Sequence, residues 1–141
     1  MGRILAIDYG TRRTGLAVTD VLRIIPNGLA TVATHELPSF LASYFSKEPV
    51  DIVVVGYPTN MNGQDSASMA QIRPFVDKLR KQYPDKRIEM FDERFTSVIA
   101  HRAILDSGIG KMARRNKALV DEISATIILE SYMDSKQYRE Q

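Results

Sequence analysis

The sequence predicts an α/β fold, a five-stranded mixed sheet flanked by helices. Three observations carry that expectation. Apolar, β-branched runs open the chain one after another, separated only by turn residues. Two later runs, Asp51–Gly56 and Arg87–Phe91, alternate with segments of helical periodicity. The order β-β-β-α-β-α-β-α-α then implies early hairpins joined to parallel crossovers within one sheet.

Arg3 to Tyr9 reads as a buried strand that stops at Gly10. Gly15 to Asp20 is a second apolar run, and the short Gly10–Thr14 connection suggests a hairpin. Ile24 to Ala33 holds a third strand, interrupted on sequence by Pro26, Asn27 and Gly28. Three consecutive antiparallel strands are the simplest arrangement.

Leu37, Phe40, Leu41, Tyr44 and Phe45 recur at helical spacing. Pro38 suits a first helical turn, and Pro49 ends the element. Asp51 to Gly56 is a continuous apolar run, as in a central strand covered on both faces. Tyr57 to Asp65 is a loop, and Ser66 is placed to cap the next helix. Met69, Ile72, Val76 and Leu79 form that helix's apolar stripe, and Pro74 predicts a kink or a later start. Phe95 to Ser107 reads as a helix stopped by Gly108 and Gly110. Lys111 to Asn116 is a basic loop, and Ala118 to Met133 a final helix.

At 141 residues, the length fits a single domain spanning 1–141. The composition, 44% hydrophobic and 26% charged, is that of an ordinary globular chain and argues against wholesale disorder. The absence of cysteine excludes a disulfide framework and any thiolate metal site. No apolar stretch reaches the roughly 20 residues of a membrane helix, and the first residues lack signal-peptide features. A cytoplasmic protein that makes no membrane contact is expected.

The net charge of +2 does not by itself imply nucleic-acid binding. Its distribution says more. Arg12 and Arg13 sit together early, and Lys111, Arg114, Arg115 and Lys117 cluster late. Such clusters are either phosphate contacts or simply solvated loops.

Asp8 is the most informative residue. Alternation along a strand puts Ile4, Ala6 and Asp8 on one face and Leu5, Ile7 and Tyr9 on the other. A carboxylate on a covered face needs a cation, a hydrogen-bond network or a shifted pKa. It reads equally as a cap for the Gly10–Thr11 turn. Asp92 and Glu93 follow the fifth strand, at the end of the strands where open α/β sheets bind ligands. They read either as site residues or as a surface pair neutralised by Arg94. Asp121 and Glu122 open the last helix, where the macrodipole favours acids without any function. The small neighbours Ser124 and Ala125 would nevertheless let that helix lie close to the sheet and carry Asp121 toward Asp8.

Three carboxylates on separate elements, with no competing cysteine site, suit hard cations such as Mg²⁺ or Mn²⁺. Two such ions about 4 Å apart cleave phosphodiesters by activating water and stabilising the leaving oxygen. His35 and His101 have no recognisable serine or acidic partner, so a serine-type triad is not supported. No aromatic stacking platform for single strands is evident. Asp8-Tyr9-Gly10-Thr11 also resembles the ATP-phosphate hairpin of the actin and sugar-kinase superfamily, whose enzymes need two such domains.

Four stretches resemble the YqgF/RuvX family in order and spacing: Arg3 to Gly15, Val54 to Gly63, Asp92 to Thr96 and Val120 to Ala125. Tyr57, Phe95, Ser97 and Ser124 depart from the usual pattern without removing a carboxylate. The resemblance implies a ribonuclease H-like fold with its acidic site on Asp8, Glu93 and Asp121. It implies a metal-dependent nuclease, either one that matures the 5′ end of pre-16S ribosomal RNA or a Holliday junction resolvase acting on four-way DNA. On the favoured reading, Mg²⁺ or Mn²⁺ is the cofactor, and structured RNA, in ribosomal precursor particles, is the partner. Asp8 is the central metal ligand. Arg12, Arg13, Arg94, Lys111, Arg114, Arg115 and Lys117 are the candidate phosphate contacts. A non-catalytic RNA- or ribosome-binding module is the alternative, and monomer and homodimer both remain open.

Overall fold

The computed structural model describes residues 2–58, 69–93 and 117–139. The strands are β1 (Arg3–Asp8), β2 (Arg13–Thr19), β3 (Pro26–Ala33), β4 (Val50–Tyr57) and β5 (Arg87–Asp92). A 3₁₀ turn at Thr34–Glu36 leads into α1 (Leu37–Lys47). Beyond it lie α2 (Met69–Gln82), α3 (Lys117–Met133) and a short α4 (Lys136–Arg139). The helix expected at Phe95–Ser107, the basic loop Lys111–Asn116 and the Ser66 cap fall outside the described residues.

The five strands form one mixed sheet in the order β3-β2-β1-β4-β5. β1, β2 and β3 pair antiparallel, whereas β4 pairs parallel to β1 and β5 parallel to β4. This is the expected pattern, hairpins first and crossovers later. β1 and β4 lie inside the sheet and are covered on both faces, which accounts for their nearly unbroken apolar sequences.

Strand alternation sorts the core into two layers. Leu5, Ile7, Leu16, Val18, Val53 and Val55 face α1 and α2, meeting Leu37, Leu41, Ile72, Val76 and Leu79. Ile4, Ala6, Ala17, Ile52, Val54 and Phe91 face α3, meeting Ala125, Ile128, Leu129 and Tyr132. Phe91 and Tyr132 meet edge to face at 6.0 Å, and the Tyr132 hydroxyl donates to Glu89. Asp8 therefore belongs to the α3 side.

Two boundaries differ from expectation. β2 begins at Arg13, not Gly15, so Arg13 is held in a strand rather than free at a hairpin tip. Pro26, Asn27 and Gly28 are strand residues, not an interruption. β3 is an edge strand and Pro26 is its first residue, a position where the missing N–H costs no interior ladder bond. Pro74 lies inside α2, which runs unbroken from Met69 to Gln82. No helix among the described residues is long and apolar enough to cross a membrane.

Candidate active site

The site starts from Asp8, the last residue of β1. Its neighbours in the sheet are both glycines, Gly15 on β2 and Gly56 on β4. Each leaves room that a side chain would fill. A Cβ on Gly15 would collide with the backbone carbonyl of Asp121, so α3 touches the sheet there with nothing between. A Cβ on Gly56 would lie 2.5 Å from Ile128 Cδ1 and 3.2 Å from Glu93 Oε1. One glycine admits the helix that carries Asp121, and the other admits the Glu93 side chain. Further along the same helix, Glu122 Cβ packs over Gly28.

Sequence reasoning did not find these roles. A lone glycine in a strand was the available signal, because it marks a close backbone approach. What approaches it depends on register, which is not local information.

β5 delivers Glu93. Phe91 lies on the α3 side and Asp92 is the last strand residue, so alternation returns Glu93 to the side of Asp8. Glu93 and Asp8 are hydrogen-bonded carboxyl to carboxyl. Burial, then the charge of Asp8, its hydrogen bond and the charge of Asp92 push the Glu93 carboxyl up to about 7. Burial also raises Asp8, with a further push from Asp121, while the hydrogen bond from Glu93 acts against the rise. The hydrogen bond thus favours the protonated form of Glu93 and the ionised form of Asp8. Two half-buried carboxyl groups in hydrogen-bond contact resist ionising together unless a cation compensates them.

Asp121 comes from the first turns of α3 and is close enough for its charge to act on Asp8. Its carboxylate is turned to Arg13, with Arg13 Nε donating to Asp121 Oδ2 at 2.6 Å. That hydrogen bond, more than the accompanying charge attraction, raises the Arg13 pKa. The structure thus joins Asp8 to Glu93 and Asp121 to Arg13. Among the described residues, no three His, Cys, Asp or Glu side chains converge closely enough to hold a metal ion as they stand.

The hairpin behind Asp8 is braced by hydroxyls. Thr34 Oγ1 donates to the Gly10 carbonyl at 2.6 Å and lies 2.9 Å from Thr14 Oγ1, and Thr34 N donates to the Arg12 carbonyl. Thr34 has spent its only hydroxyl hydrogen on Gly10, so Thr14 is the donor of the pair. Arg12 is exposed beside this turn.

Of the other expected phosphate contacts, Arg94, Lys111, Arg114 and Arg115 lie outside the described residues, and Lys117 is the first residue of α3. His35 sits in the exposed 3₁₀ turn, 3.8 Å from Glu36, and His101 is outside the described residues.

The family model described as "RuvX: Holliday junction resolvase" matches residues 2–135. A Phocaeicola vulgatus protein named "Putative pre-16S rRNA nuclease" is 62% identical over 138 residues, covering 98% of this chain and 99% of that one. A Porphyromonas gingivalis protein of the same name is 62% identical over 135 residues, covering 96% and 98%. A third, from Bacteroides thetaiotaomicron, is 55% identical over 138 residues, covering 98% and 100%.

Proposed function

The chain belongs to the RuvX family, and from that premise we propose that it is a metal-dependent nuclease that trims the 5′ end of pre-16S ribosomal RNA. The five-stranded mixed sheet flanked by helices fits the ribonuclease H-like fold of that family. The observation that carries the proposal is the hydrogen-bonded pair Asp8 and Glu93 at the carboxyl ends of β1 and β5. The names of the relatives supply the substrate.

The donor set suits a hard divalent cation, Mg²⁺ or Mn²⁺. Two adjacent half-buried carboxyl groups, with a third held nearby by an arginine, are oxygen ligands short of positive charge. Asp8, Glu93 and Asp121 would hold it. When bound, the cation supplies Lewis acidity and lowers the pKa of water.

The chain's own groups do the rest. Glu93 holds its proton against Asp8 and must release it before both can act as anionic ligands. Arg13 orients Asp121 and, being partly exposed, can exchange that carboxylate for a substrate phosphate. Arg12 lies at the same turn to grip a flanking phosphate, and Arg94, Lys111, Arg114, Arg115 and Lys117 are the further basic residues the sequence offers for phosphate contact. The protein then works on ribosomal precursor particles in the cytoplasm.

A side-by-side cleavage assay tests this reading. Precursor ribosomal RNA and a four-way DNA junction are offered in Mg²⁺ and in Mn²⁺, with Asp8→Asn as control. Metal-dependent cleavage of the RNA that Asp8→Asn abolishes is expected. Equal cleavage by Asp8→Asn would sink the assignment of Asp8. The family model's own description favours one second reading, junction resolution, and preferential cutting of the DNA junction would establish it instead.

A further inference from the structure

On the face of the sheet opposite Asp8, an open cleft of about 280 Å³ lies between the β1 turn, α1 and α2. Tyr9, Thr34, Leu37, Gln71, Phe75 and Lys78 line it. Tyr9 and Phe75 are half-buried, with ring centroids 4.8 Å apart and planes tilted by 33°. Lys78 and Gln71 are exposed on α2, and Lys78 has no acidic partner among the described residues.

We propose that this cleft is a subsite for one unpaired nucleotide of the strand being cut, with the base against the Tyr9–Phe75 rings and a phosphate on Lys78. The inference rests on the nuclease reading for its substrate and on the cleft for its geometry.

Three features favour that occupant. The first is continuity of the chain with the acidic site. Tyr9 follows Asp8 directly at the end of β1, and the two side chains leave that end on opposite faces of the sheet. Thr34, also in the wall, braces the Gly10 carbonyl through its hydroxyl. A strand whose phosphate reaches Asp8 can therefore place a neighbouring nucleotide over the end of β1 and into the cleft.

The second is chemistry. Aromatic rings offer stacking that every base can use, a lysine offers a point charge for phosphate, and an amide can donate to and accept from a base edge. An apolar peptide would use the rings but draw nothing from the charge of the lysine. The third is access. A base inside a duplex is stacked on both faces and cannot enter such a cleft, whereas an unpaired one can. The proposed occupant therefore restricts the enzyme to a single-stranded segment next to the cut. The sequence hid this platform because Tyr9 and Phe75 are 66 residues apart and belong to different elements.

The test uses the full chain in metal-free buffer, so that binding is read without cleavage. The probes are a single-stranded RNA pentamer, an RNA duplex of the same length and uridine 5′-monophosphate. The pentamer should shift the NMR signals of Tyr9, Phe75, Gln71 and Lys78 and bind more tightly than duplex or mononucleotide. Phe75→Leu should weaken the pentamer by about fivefold to a hundredfold and leave duplex binding unchanged. Lys78→Gln, at an exposed position where folding is not at risk, should weaken the pentamer and reduce its log–log salt slope by about one.

Equal binding of duplex and pentamer would overturn the proposal. So would a mononucleotide that binds as tightly as the pentamer, or a Lys78→Gln variant with unchanged pentamer affinity and salt slope. Intact cleavage with such a result would remove the subsite alone. Intact pentamer binding with no nuclease activity would remove the catalytic reading alone.

Discussion

Gly15 on β2 lies against the backbone of Asp121 on α3, with no space between them for a Cβ atom. The obstacle is main chain, which cannot swing aside as a side-chain tip can. Gly15→Ala should force α3 away from the sheet and cost about 1–3 kcal/mol, the usual penalty for overpacking. Asp121 would move with the helix. The folded fraction of Gly15→Ala should therefore lose nuclease activity beyond what its stability explains. Urea denaturation alongside cleavage at a temperature where the variant remains folded checks both effects. A variant as stable and active as the parent would show that the contact does not position Asp121.

Gly56→Ala makes a useful contrast. Its new methyl would meet the end of Ile128, 2.5 Å away, and Glu93 Oε1, 3.2 Å away. Ile128 can change rotamer, so the stability loss should be smaller than for Gly15→Ala. Glu93 would still be pushed off Asp8. The expected outcome is a near-normal melting temperature with metal affinity reduced by about tenfold or more. Calorimetric titration with Mn²⁺ measures that directly.

The Glu93–Asp8 pair has a pH signature. Glu93 titrates near 7 in the folded protein, above its ordinary value of 4.5. The folded state therefore binds more protons than the unfolded chain between those values, and stability falls as pH rises through that window. Asp8 is shifted in the same direction. The metal-free protein should thus be more stable at pH 5 than at pH 8 as far as this pair is concerned. Glu93→Gln removes one charge and should stabilise the metal-free protein at pH 8 by about 1–2 kcal/mol after solvent screening, with little change at pH 5. Divalent cations should bind more tightly as pH rises through 7 in the parent, and weakly at every pH in the variant. Melting curves at the two pH values, with and without Mg²⁺, test the sign. A parent that is stabilised by raising the pH without metal, with Glu93→Gln losing that gain, would contradict it.

Most of the strand framework was readable because its signals are local. β1 and β4 announce themselves by unbroken apolar runs, and alternation alone places Asp8 on one face and Tyr9 on the other. The same alternation, run on from Phe91, would have chosen Glu93 over Asp92, but only once the side of Phe91 was known. Pro26 to Gly28 look like a break on sequence, and only the sheet order shows that their strand is an edge. The pairing of Asp8 with Gly15 and Gly56 was not readable at all. Register is set by contacts between distant segments, and a glycine shows nothing about which backbone will occupy the space it leaves. For the same reason Arg13 read as a free phosphate grip, although its partner lies 108 residues away.

That partner sets the last prediction. Arg13 Nε and Asp121 Oδ2 are 2.6 Å apart, with Arg13 the more exposed of the two, at 44% against 18%. An exposed pair of this kind adds little to folding, so Arg13→Gln should melt close to the parent. Its effect should appear in catalysis. Without the guanidinium, Asp121 loses the group that orients it, and an arriving phosphate loses a bidentate donor. KM for the nucleic acid should rise, and the log–log salt slope of binding should fall by about one. Arg13→Lys should recover part of the binding, because charge remains, but less of kcat, because a lysine has one donor nitrogen where the guanidinium presents a planar fork. If Arg13→Lys instead restored both fully, charge alone would be at work. Arg13 would then be an ordinary phosphate contact and not the residue that aligns Asp121.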